Sequence, residues 1–143
     1  MCGLAEAGHV EYHPDTALPL IVSVACPVEE WSGDGPKLSG GMTIGIAPTS
    51  RASRIYGQHQ VKEGFNCSYE LNPAFEEVLE ARGLRIVGRG ERNEARIVEL
   101  ADHQFFIATL FQPQLASAQG APHPLIAAYL KAVMAFRQER TAS

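Results

Sequence analysis

The chain has 143 residues, with 12 Lys or Arg against 16 Asp or Glu and a formal charge of -4. That balance, without any basic run that could follow a phosphate backbone, argues against nucleic acid as a partner. No apolar stretch approaches the ~20 residues a membrane span needs, and Met1–Gly8 has no basic residue ahead of an apolar run, so no membrane segment or secretory leader is expected and the cytoplasm is the expected location. Hydrophobic residues at 45% and charged residues at 20% suit a single soluble domain over residues 1–143 with its own core. The three cysteines, Cys2, Cys26 and Cys67, are odd in number and lack metal-type spacing, which argues against a disulfide framework and a zinc site. No cofactor is expected.

Along the chain, residues 1–40 are broken by Pro14, Pro19, Pro27 and Pro36, with one Val/Ile-rich strand expected over Leu18–Ala25. Residues 31–41 read as a Gly/Ser/Pro loop and Met42–Ala47 as a strand. Asn72-Pro73 is a strong helix start, an N-cap followed by a proline at the first helical position. Ala74, Phe75, Val78, Leu79 and Arg82 then share one face, and Gly83 is the stop. Strands are expected at Leu84–Val87, Arg96–Leu100 and Phe105–Phe111, the first two joined by a turn over Gly88–Glu94. The last helix, His123–Arg137, carries an apolar stripe of Leu125, Ile126, Tyr129, Leu130, Val133 and Met134, which such spacing assigns to the core. Two helices and five or six strands make a mixed α/β domain.

Several short stretches, in this order, resemble the glutaminase domain of CTP synthase, a class I glutamine amidotransferase. Gly3–Thr16 resembles the segment after that family's nucleophile helix, and Gly40–Ile46 its Gly-Met-rich strand. Tyr69-Glu70-Leu71-Asn72-Pro73 matches its Tyr-Glu-Val-Asn-Pro. Residues 97–103 and 105–114 match its Val-Glu-x-x-Glu-Leu-x-x-His and Phe-Phe-x-x-x-Gln-Phe-His-Pro-Glu, and Pro122-His123-Pro124-Leu125 its Pro-His-Pro-Leu. A smaller group, the CTP-synthase-C-terminal-related seleno/cysteine proteins, is similar as well. The resemblance implies a flavodoxin-like mixed sheet with flanking helices, truncated at its N-terminal half.

Such a domain hydrolyses glutamine with a cysteine nucleophile, a histidine base and a glutamate that orients the histidine. Carried over by position, the histidine falls on Gln112, the glutamate on Gln114, and the arginine that holds the substrate carboxylate on Ser68. An amide does no acid or base work near neutrality, and serine supplies no charged fork. The nucleophile's position precedes Gly3, and Cys2 stands too close to Glu11 to replace it. The resemblance therefore implies a scaffold without the inherited glutaminase chemistry.

What remains is Cys67, at a family histidine beside the substrate-binding strand, where it and Ser68 should point to opposite sides of a strand. Gln112, Gln114, Ser68, Tyr69, Glu70 and Glu11 could bind a small polar ligand, and His9 could join Glu11 in a cleft. Cys26 reads as a core residue, His59 as exposed, and His103 and His123 as turn or cap residues. Three functions stay open: a binding, regulatory or subunit protein; a cysteine-dependent hydrolase or lyase acting on a small amide or amine; or part of a split amidotransferase. Self-association, as a homodimer or with a partner chain, is expected, with Phe105–Phe111 and Met42–Ala47 as the exposed strands.

Overall fold

A computed structural model describes residues 3–24 and 39–141. Cys2, Cys26 and most of the loop expected over 31–41 lie outside the described residues; residues 39–41 belong to a strand.

Among the described residues, eight strands fall into two sheets. A three-stranded sheet orders β1 (Ala7–His9), β2 (Leu18–Ser23) and β5 (Tyr69–Leu71) as β1-β2-β5, with β1 parallel and β5 antiparallel to β2. A five-stranded sheet of β3 (Ser39–Ile46), β4 (Gln60–Asn66), β6 (Leu84–Arg89), β7 (Ala95–Leu100) and β8 (Ile107–Thr109) runs β4-β3-β6-β7-β8, antiparallel throughout. Helix α1 spans Arg51–Tyr56, α2 Glu76–Glu80 and α3 Pro124–Thr141.

The expected strands are present with their ends no more than three residues from those expected, and the turn between β6 and β7 closes on Gly90 and Glu94 with Asn93 at φ 66°. The expected helix after Asn72 forms as a 3-10 turn, Pro73–Phe75, followed by α2. Asn72 caps it as its sequence position demands, accepting the Ala74 N–H at 3.1 Å, and its amide also donates to the Pro19 carbonyl at 2.9 Å.

Two expectations need correction. Strand β3 is no edge: it sits between β4 and β6, with Ile44 and Ile46 buried. The stripe of α3 is mostly not core: Leu125 is buried, whereas Tyr129, Leu130, Val133 and Met134 are 46–63% exposed. A helical stripe needs a layer to cover it, and along most of α3 the described residues supply none.

The main core lies between the five-stranded sheet and α1, where Ile44, Ile46, Val61, Val87, Ile97 and Phe111 meet Ala52 and Leu125. Glu99, itself buried, closes the N-terminal end of α1 by accepting the backbone N–H groups of Arg51 and Ala52. A second cluster, Leu71, Leu79 and Ala95 with Leu20, Ile21 and Leu84 against it, joins the small sheet and α2 to the large one.

Candidate functional site

Strand β4 belongs to the large sheet and β5 to the small one, so the chain changes sheets at Cys67-Ser68. Neither residue is in a strand, and the expected strict alternation between them does not apply. Val24 N–H donates to the Ser68 carbonyl at 2.8 Å, which extends the β2–β5 pairing up to this connector.

Gln112 docks on the other side of the joint. Its backbone N–H donates to the Gly64 carbonyl at 3.2 Å, and its Oε1 accepts the Asn66 N–H at 2.7 Å, one residue before Cys67. The side chain is thus spent holding the turn of Pro113–Ala116 against the end of β4. Gln114, two residues on, is exposed and makes no side-chain hydrogen bond among the described residues. The two glutamines do not form a pair.

From the small sheet, the N-terminal segment folds over Tyr69. The His9 ring lies 4.5 Å from the Tyr69 ring and 5.1 Å from that of Tyr12. His9 Nδ1 accepts the Glu11 N–H at 3.1 Å, which leaves the proton of the neutral ring on Nε2. Burial, then the charges of Glu11, Cys67 and Tyr12, hold the Tyr69 phenol above its ordinary value, so these four groups share one neighbourhood. Cys67 is half-buried there as a free thiol.

The structure therefore gathers Cys67, Ser68, Tyr69, Glu11 and His9, with Gln112 one residue away. Tyr12 joins them although its sequence position gives no sign of it. Glu70 goes elsewhere: adjacent strand residues face opposite sides, and its carboxylate pairs with Arg92 at 2.8 Å and lies 3.9 Å from Arg96. Among the described residues no cluster of three His, Cys, Asp or Glu could hold a metal ion, and no helix is long and apolar enough to cross a membrane.

His59 is exposed and His103 accepts the Phe105 N–H in a turn, as expected. His123 caps α3 through Nδ1, which accepts the Leu125 N–H at 3.2 Å. It also belongs to a buried cluster: its Nε2–H donates to Glu63 Oε1 at 2.9 Å, and the Tyr56 hydroxyl donates to the same oxygen at 2.6 Å. Burial, the bond to Glu63 and the Glu63 charge push the Tyr56 phenol far above its usual range. This cluster ties α1, β4 and α3 together.

No protein-family model matches the chain. Among curated proteins it is 34% identical over 146 residues to the CTP synthase of Geobacter sulfurreducens, covering 98% of this chain and 26% of that protein. It is 36% identical over 147 residues to the CTP synthase of Geobacter metallireducens, covering 99% and 26%. The chain thus spans about a quarter of the length of the curated relatives it matches. Among solved structures, the glutaminase domain of Trypanosoma brucei CTPS with bound acivicin superposes with a TM-score of 0.81 at 24% identity, covering 92% of this chain and 52% of that one. Over this quarter-length stretch the chain is a relative of the CTP synthases, and its fold is that of their class I glutamine amidotransferase domain.

Proposed function

We propose that the chain is a glutamine-amidotransferase-like protein without glutaminase activity, serving a binding, regulatory or subunit role as a homo-oligomer or with a partner chain. One observation carries the reading: the side chain at the family's histidine position is an amide committed to the Asn66 N–H at 2.7 Å. A base must be free to take a proton from the nucleophile and return it to the leaving ammonia, and a carboxamide holding a backbone turn does neither. Gln114, at the position of the orienting glutamate, is exposed and supplies no charge to a neighbouring imidazole. Fold likeness alone does not supply the activity.

The test is ammonia release from glutamine, with and without nucleotide. No turnover above the blank is expected. Turnover that survives repurification and is lost in Cys67→Ser overturns the reading.

A second reading, a cysteine-dependent hydrolase or lyase for a small amide or amine, is favoured by the gathering of Cys67, Tyr69, Glu11 and His9. Thiolate chemistry calls for a positive neighbour, and the groups found around Tyr69 are the Glu11 carboxylate, the Tyr12 phenol, the Cys67 thiol and the His9 imidazole, none of which carries a fixed positive charge. Rapid alkylation near pH 7 that disappears in Cys67→Ser supports this second reading; slow alkylation leaves the first.

A further inference from the structure

We draw no further inference here: the strongest candidate, the Tyr56–Glu63–His123 cluster between α1, β4 and α3, has its carboxylate and imidazole buried too deeply to meet a ligand, and its part in tying those elements together is the one already described.

Discussion

At the β3–β7 part of the large sheet, Ile44 and Ile97 are wholly shielded, α1 lies over them, and even the charged groups beneath it, Glu63 and Glu99, are buried with bonded partners. At the β8 end, no described strand pairs with the outer edge, and among the described residues five large apolar side chains of α3 stand about half exposed. One sheet therefore has a part that the described residues cover on their own and a part whose apolar surface they leave bare. The difference separates residues that carry the core from residues on which the core does not depend.

Substitutions should break along that line. Ile97→Ala removes a wholly buried side chain that packs directly against Gly88, where an added Cβ would lie 2.5 Å from Ile97 Cγ1. It should cost about 2–5 kcal/mol in denaturant unfolding. Glu63→Ala leaves the Tyr56 hydroxyl and His123 Nε2–H buried without their shared acceptor and should cost about 1–3 kcal/mol, measured the same way. Met134→Lys, at the other end, changes a side chain that is 63% exposed and should stay within about 0.5 kcal/mol, measured the same way. Equal losses at Ile97 and Met134 would erase the comparison.

A finer division concerns acid. Burial raises the Glu94 carboxyl, but its own backbone N–H, the Arg96 side chain and the Arg92 backbone outweigh burial and hold it below the ordinary value. A carboxyl lowered in the folded state stabilises above its unfolded pKa, and that contribution fades as pH falls through the folded one. Glu94→Gln should therefore flatten the acid limb of the stability curve and leave the neutral region nearly parallel to wild type, as thermal unfolding between acid and neutral pH would show.

Much of the fold was legible in local pattern. Asn72-Pro73 announces the start of a helical turn because both residues act within three positions. The Val/Ile-rich runs give β2, β6 and β7. Helix α1 went unread because its six residues between Ser50 and Gly57 are too few to display a 3.6 period. In β4 the alternation is real, with Val61 and Glu63 inward and Lys62 outward, but an inward glutamate reads as a surface residue. Its partners, Tyr56 and His123, are 7 and 60 residues away.

The site was half legible for the same reason. The resemblance pointed to Cys67, Tyr69 and Gln112 by position. It could not show that Gln112 is spent on Asn66, that Glu70 turns to Arg92, or that His9 stacks on Tyr69, since each depends on long-range pairing. The stripe of α3 shows the limit best: periodicity reveals that a face exists, and only the neighbouring layers decide whether it is covered.

Strands β3 and β6 meet only at Gly45↔Arg89 and Ile46↔Gly88, whereas β3 pairs with β4 from Ser39↔Asn66 to Gly45↔Gln60, and β6 with β7 from Leu84↔Leu100 to Arg89↔Ala95. The large sheet is thus two units of neighbouring sequence joined by a short seam. Loop closure is cheap within each unit and dearer across the seam, since the β3–β6 partners lie 44 residues apart at Gly45↔Arg89 and 42 at Ile46↔Gly88. In folding, the β6–β7 hairpin, needing only a five-residue turn, is placed to form first, and the seam sets the rate at which the sheet becomes one cooperative body.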